Sequence, residues 1–540
     1  MSATMESVKP GATARPATSA RGLARAASVI AVATIASRVL GLVRDVVIAA
    51  MFGATSVRAA FVIAYSLPFF VQRLFLGGTL SIVFIPTLTR VLLRGDPEET
   101  ERVVTSTLNL VILIGLAMVV IGVVAAPVLV PIAAPGYLIH NPGVIAQAIV
   151  LTRVMFVSMV FLALSAFATG YLNAHRQFTM AAVAPSVFNV VIIGGVFLLA
   201  PRIGILGIAL SFLAGWVAQF LVQLPSARAA GLRWTPRIDL AHPVIRDMGR
   251  LALPAMLGLA VIEINSNVNR FFASFLVGPP GVDYVAVLDY AFQLIQAPVA
   301  IFALSLATAL FPTMSRHAAG SGRDELRDTT SLGLRGVLFT MMPVMAATFA
   351  ASHLMVRVLF QRGMFEPAAT QAVAGALAAF AVGTVPYAAY YIVTRTYYAL
   401  HDMRTPVRVG VFMIALNAAG NWLLLRWFGY LGISLCTSVV SIVNVGVLLW
   451  LLRGRLGRLG GRDIALTAVR TAIASAALAA TMLITLRVLG RFVSAVHLGG
   501  AVVQLGTALL LGGAVYLAVC AALGVREIEL LRAFGRGGRA

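Results

Sequence analysis

The stretch SRVLGLVRDVVIAAMFG, Ser37 to Gly53, places two guanidinium groups and a carboxylate, Arg38, Arg44 and Asp45, in an apolar run long enough to cross a bilayer. At about 100° per residue on a helix, Arg38 and Asp45 share one face, and Ser37 and Arg44 share the face beside it. Further along, EINSNVNR sets Glu263, Asn267 and Arg270 at i, i+4 and i+7, LPFFVQRLFLGG carries Gln72 and Arg73, and a third run carries Asp289, Gln293 and Gln296. A charge at the centre of a membrane helix costs at least ~2.5 kcal/mol, so these groups are expected to face one another or a wet chamber. Arg38, Arg44, Arg73 and Arg270 against few acids make that chamber net positive. Arginine keeps its proton, and its planar fork takes two phosphate oxygens at once. The expected ligand is therefore a polyanion such as a diphosphate, with Ser37, Gln72 and Gln293 as neutral partners. Asp45, Glu263, Asp289 and Asn267 are candidates for ion coupling or ion pairing, with Glu263 or Asp289 pairing to Arg270 between helices. A plainer alternative for Arg44 and Asp45 is snorkelling to a membrane surface.

Catalytic constellations are missing. There is no Walker A loop, HExxH, Cys/His metal spacing or G-x-S-x-G elbow. The seven histidines are scattered, Cys436 and Cys520 lie in apolar segments and read as packing residues, and Asp96, Glu98, Glu99 and Glu101 form a solvated charge run. No enzyme, cofactor or metal site is expected. Arg153 and Arg335 read as packing or interface residues.

The elements that must position these groups follow from composition. With 60% hydrophobic and 11% charged residues and a mean hydropathy of +0.95 over 540 residues, the chain is an all-α polytopic membrane protein. The net charge of +22 does not imply nucleic acid, because the basic residues are nearly all arginines in short connections between spans. Fourteen runs are long enough to span: 25–50, 59–87, 105–130, 144–173, 178–200, 203–225, 250–277, 284–312, 330–353, 368–398, 406–426, 430–452, 464–486 and 499–523. In this scheme only Arg58, Arg202, Arg357, Arg362, Arg426, Arg487 and Arg491 lie on the side opposite the N-terminus. The positive-inside rule then places both termini in the cytoplasm. Residues 1–24 read as a disordered cytoplasmic tail, and 524–540 as a basic one.

The chain also repeats. FIPTLTR, from Phe84, returns as LFPTMSR, from Leu310, and GYLNAHR, from Gly170, returns as TYYALHD, from Thr396, both displaced by 226 residues. An offset of six spans brings the chain back to the same membrane side, so residues 25–227 and 246–453 are expected to be two six-helix lobes related as parallel repeats. Residues 464–523 form two extra helices. Parallel lobes place a substrate site between them and allow rocking.

At SRVLGLVRD, MFG, LPFFVQRLFLGG and FIPTLTR, joined by NRFFASFL, LFQRGMF and YYALHDMRTPV, the sequence resembles the MurJ (MviN) family, the lipid II flippases of the MOP exporter superfamily. The resemblance spans all fourteen runs. It implies a bacterial inner-membrane protein that carries a polyprenyl-diphosphate-linked disaccharide-peptide between leaflets by alternating access, with cavity arginines in spans 1, 2 and 8 and a groove along the last two helices for the lipid tail. Ser37, Arg38 and Arg44 match that pattern. Three positions depart from it: Ala59 stands where many members have Asp, Gln72-Arg73 where they have Arg-Arg, and Phe292-Gln293 where they have Asp/Asn-Arg. Two further readings stay open, a flippase for another polyprenyl-diphosphate oligosaccharide and a non-transporting scaffold for cell-wall synthesis enzymes.

Overall fold

The computed structural model describes residues 20–72, 84–320 and 322–528, with the side chains of 20–31, 85–86 and 251–263 outside that description. The first half comprises α1 (Ala20–Phe52), α2 (Ser56–Gln72), α3 (Ile85–Arg94), α4 (Pro97–Ala133), the single turn α5 (Tyr137–His140), α6 (Pro142–Ala174), α7 (Phe178–Ile203) and α8 (Ile205–Ala229). The second comprises α9 (Pro243–Ala273), α10 (Tyr284–Pro298), α11 (Leu304–Ala319), α12 (Arg323–Phe360), α13 (Pro367–Ala381), α14 (Thr384–Ala399), α15 (Arg404–Phe428) and α16 (Tyr430–Leu456), followed by α17 (Gly461–Phe492) and α18 (Leu498–Ala522). Among the described residues, ten helices are long and apolar enough to span a membrane, or eleven if the bent pair α13–α14 is one span. Of the other three expected spans, 25–50 falls in α1 and 250–277 largely in α9, while 59–87 begins in α2 and its residues 73–83 lie outside the described ones.

The two halves pack alike: α1 lies on α7 as α9 lies on α15, and the hairpin α7–α8 has its counterpart in α15–α16. Local geometry shows why. Gly204 and Gly429 join the hairpins at φ 61, ψ −140 and φ 55, ψ −137, a region that only glycine occupies readily. Three residues on, a Cβ at Gly207 would lie 2.7 Å from the backbone of Leu199 and Ala200, and one at Gly432 would lie 2.3 Å from the Leu424 carbonyl. Gly195 meets Ser211 as Gly420 meets Cys436. Arg176 and His401, both at positive φ, close helices α6 and α14 with matching bonds, Gln177 N to Leu172 O at 2.8 Å and Asp402 N to Tyr397 O at 2.9 Å. These pairs are spaced by 225 residues. The expected offset of 226 is kept at the earlier motif, where Arg90 bonds Thr87 as Arg316 bonds Thr313.

Broken helices mark the second half. Pro298 ends α10 in a π-helical turn over Val299–Ala303, and α13 meets α14 at 48°. At that break Ser438 of α16 accepts from Gly383 N and donates to Ala379 O, supplying partners for backbone groups that hydrocarbon would leave unsatisfied. Helices α17 and α18 pair with each other and pack on α12.

The N-terminal tail expectation needs correction. Helix α1 begins at Ala20, so residues 20–24 are helical rather than disordered, while 1–19 lie outside the described residues. At the other end Glu527 is buried and paired to Arg335 at 3.2 Å, because a cation on α12 needs a partner at that depth; residues 529–540 lie outside the described ones. Arg335 is thus an interface residue. Cys436 and Cys520 are free and buried in the core. Asp96 is exposed but also caps α4, accepting from the amides of Glu98 and Glu99.

Gly432→Ala is expected to lower stability by ~1–3 kcal/mol, since backbone must move to admit the methyl group. Gly446→Ala, in the open interior of α16, should leave stability unchanged or raise it by up to ~1 kcal/mol. Thermal unfolding of the purified protein in detergent compares the two.

Candidate functional site

Between the halves lies a chamber of about 420 Å³, lined by α1, α2, α6, α7 and α8 on one side and α9 and α10 on the other. Three arginines enter its wall, Arg44, Arg58 and Arg270, with two acids, Asp45 and Asp289. The described wall therefore carries one net positive charge, in the expected direction, with Arg44 and Arg270 of the four expected arginines in it.

Arg44 is held from several directions. Its Nε and Nη2 donate to Asp45 Oδ1 at 3.0 and 2.9 Å, its Nη1 donates to Asn189 Oδ1 of α7 at 3.1 Å, and its guanidinium stands 5.5 Å from the Phe212 ring centroid. Asn189 in turn donates to the Ser37 carbonyl at 3.2 Å, so Ser37 contributes backbone here. Arg44 and Asp45 do not snorkel to a surface. They line the chamber, each about four-fifths buried at the side chain.

Arg58 is the residue that sequence reasoning misplaced. It stood among the topology charges opposite the N-terminus, yet it is 3% exposed and faces the second half. Its Nη2 donates to Asp289 Oδ2 at 3.0 Å and its Nε to the Tyr290 hydroxyl at 3.2 Å, while the rings of Tyr290 and Phe61 lie 5.1 and 5.4 Å from the guanidinium carbon. Asp289 also accepts from Tyr65 at 3.1 Å and Gln293 at 2.8 Å, and Arg270 approaches it to 4.0 Å. Removing one partner of a buried ion pair typically costs ~3–5 kcal/mol. The available signal was Asp289 itself, an acid inside an apolar run that required a cation at its depth.

The remaining expectations divide. Asn267 accepts from Arg270 at 3.3 Å but is not among the residues that line the chamber, where α9 contributes Ser266 and Arg270. Gln293 and Gln296 line the chamber. Arg38 does not: it is exposed and stands outside the wall. Gln72 ends α2 away from the wall, with its Oε1 buried and unpartnered. Arg73 lies outside the described residues, as does the Glu263 side chain. Asn265 and Asn269, also in the EINSNVNR stretch, point to α15 and α16, where they bond Asn417, Asn421 and Thr437. Arg153 bonds the Val123 carbonyl.

At the end remote from the N-terminus the halves are closed by backbone. Asp283 N donates to Ala54 O at 2.7 Å, Met364 N to Ala50 O at 2.8 Å, and Gly136 N to Ser274 Oγ at 3.0 Å, while the Tyr137 hydroxyl bonds the Asp283 carboxylate. At three glycines there is no room for a side chain: a Cβ at Gly53 would lie 2.4 Å from Met364 O, one at Gly363 2.2 Å from Ala50 O, and one at Gly136 2.2 Å from Ser274 O. A separate apolar groove of about 1200 Å³ runs between α12, α14 and α16 and ends at the first turn of α17, beside Arg453, Arg458 and Arg462.

The profile of a family described as lipid II flippase MurJ matches residues 48–502. A probable lipid II flippase MurJ of Synechocystis sp. is 30% identical over 476 residues, covering 85% of this chain and 87% of the relative. One of Vibrio cholerae serotype O1 is 29% identical over 442 residues, covering 80% and 83%. Among solved structures, a lipid II flippase MurJ in an inward closed conformation aligns with a TM-score of 0.75 over 92% of this chain and 99% of that one, at 24% identity. An inward-facing multidrug resistance MATE family transporter of the MOP superfamily aligns at 0.64 over 78% and 95%, at 15% identity. At these identities the two structures speak to the fold.

Gly363→Ala tests the seam. The residue sits at φ 56, which costs a non-glycine residue ~1–2 kcal/mol before the clash with Ala50 is counted. A cysteine placed at Ala54, buried in the seam, in a Cys436→Ala/Cys520→Ala background should react with a soluble thiol reagent about 5- to 30-fold faster when Gly363→Ala is added. An unchanged rate would mean that the seam does not depend on this contact.

Proposed function

This chain belongs to the MurJ family of lipid II flippases, and on that footing we propose that it moves lipid II, the polyprenyl-diphosphate-linked peptidoglycan precursor, from the inner to the outer leaflet of the bacterial cytoplasmic membrane by alternating access. The carrying observation is the chamber itself, where Arg44 and Arg58 from one half and Arg270 from the other meet around one space. Guanidinium forks on both sides of that space suit the two phosphates of the head group.

With both termini in the cytoplasm, as the distribution of arginines favours, the closed seam at Ala50–Ala54 is the extracytoplasmic end. The head enters from the cytoplasmic side and is released when the halves rock apart at the seam. The polyprenyl tail stays in lipid, which its own apolarity demands, beside the groove that leads to α17. An inside-negative potential favours export, since each charge crossing ~100 mV is worth ~2.3 kcal/mol.

Expression of this chain in a strain depleted of its own lipid II flippase is expected to restore growth and outer-leaflet lipid II. Arg44→Ala and Arg270→Ala, present in the membrane at normal levels, should fail, with lipid II held on the inner leaflet. Restoration by both variants would refute arginine-mediated transport and point to a scaffold. Failure of the unmutated chain, with rescue of a strain lacking a different polyprenyl-diphosphate oligosaccharide flippase, would reassign the substrate.

A further inference from the structure

Among the described residues, the ion pair joining the two halves is Arg58 with Asp289. Its surroundings are unequal. Arg58 leaves one guanidinium nitrogen, Nη1, buried without a partner, although the side chain lines the chamber. Asp289 is oversupplied: besides Arg58 and the nearby Arg270 it accepts from Tyr65 and Gln293, two neutral donors that need not leave if the cations do.

An under-bonded cation facing an over-bonded anion is the arrangement expected where the anion is to be exchanged. A diphosphate brings more charge and more acceptor oxygens than one carboxylate and can satisfy Arg58 Nη1 as well. The carboxylate left behind is not orphaned, because Tyr65 and Gln293 still donate to it, so the exchange avoids the full penalty of an unpaired buried charge.

Arg58 is also wired to the seam. Its Nε donates to the Tyr290 hydroxyl, which donates to the Gly53 carbonyl at 3.3 Å, and Gly53 packs against Met364 O across the closed end. Moving Arg58 toward a ligand pulls on this path.

Building on the diphosphate reading above, we infer that Arg58 is a further diphosphate-binding residue and that Asp289 is its exchangeable counter-ion: the entering head takes Arg58 from Asp289 and thereby weakens the joint that keeps the seam shut. Arg58 is the binding group and Asp289 acts through it, as a positioning residue.

The test uses the full chain in nanodiscs, titrated with farnesyl diphosphate as a short-chain probe, with seam closure read as disulfide yield between Ala50→Cys and Met364→Cys in a Cys436→Ala/Cys520→Ala background. Unmutated Arg58 and Asp289 should give saturable binding and a falling disulfide yield as probe is added. Arg58→Gln should weaken binding at least tenfold. Asp289→Asn should tighten it severalfold and lower the disulfide yield before any probe is present. Gln293→Met, which keeps both charges but removes a donor the freed carboxylate needs, should weaken binding two- to fivefold, and this milder variant decides the matter if Asp289→Asn does not fold. Binding that weakens in Asp289→Asn, or is unmoved by Gln293→Met, overturns the exchange. No probe binding by the parent protein would instead overturn the diphosphate reading beneath it.

Discussion

A guanidinium group cannot shed its proton to enter hydrocarbon, so each arginine at membrane depth dictates what surrounds it. In this protein the requirement is met by partners on the same helix and on neighbouring ones. Asp45 and Asn189 hold Arg44, Asp289 and Tyr290 hold Arg58, and Asn267 and Asp289 attend Arg270. Because the partners come from both halves, satisfying the charges also fixes how the halves meet. Two of the three arginines are paired closely with carboxylates, yet the pairs ring a chamber instead of filling it. The charges are thus held in place and remain within reach of a ligand.

Around that centre the two halves are built from one plan. Glycines at Gly204 and Gly429 turn equivalent hairpins, and Gly207 and Gly432 let the second helix of each hairpin press on the first. The halves meet at the Arg58–Asp289 pair between α2 and α10 and at the seam, where backbone approaches backbone. Gly53 and Gly363 make that contact close. A buried apolar cluster surrounds the seam's hydrogen bonds and runs across both halves, from Phe52 and Phe61 to Val285, Tyr290, Phe360 and Phe365. The departures from the family pattern read differently in this light. At Ala59 and Gln293 this chain has no charge, but Arg58 beside Ala59 and Asp289 one turn before Gln293 place a cation on α2 and an anion on α10, so an ion pair bridges the joint.

Much of this was legible in the residue order. Apolar run lengths located the helices, and Arg44, Arg270 and Asp289 announced themselves as charges in the middle of such runs. The repeat was visible as well, though helix ends place its later part at 225 residues. What periodicity could not settle was which face of a helix meets a neighbour. Arg38 and Asp45 share a face on an ideal helix, yet only Asp45 lines the chamber, and Asn265 and Asn269 turn to α15 and α16 while Asn267 bonds Arg270 on its own helix. Arg58 was missed for a related reason: near the start of a span a cation looks like a topology signal, and only its long-range partner, 231 residues away, shows otherwise. The seam was hidden because backbone-to-backbone contacts leave their trace only in glycines that have many other uses.

The most direct measurement of the central claim is a structure of the full chain determined with a polyprenyl-diphosphate lipid bound. The account predicts phosphate density inside the chamber within hydrogen-bonding distance of Arg44, Arg58 or Arg270, with the tail leaving toward lipid. Phosphates bound only in the headgroup layer, with the chamber arginines still on their carboxylates, would contradict it.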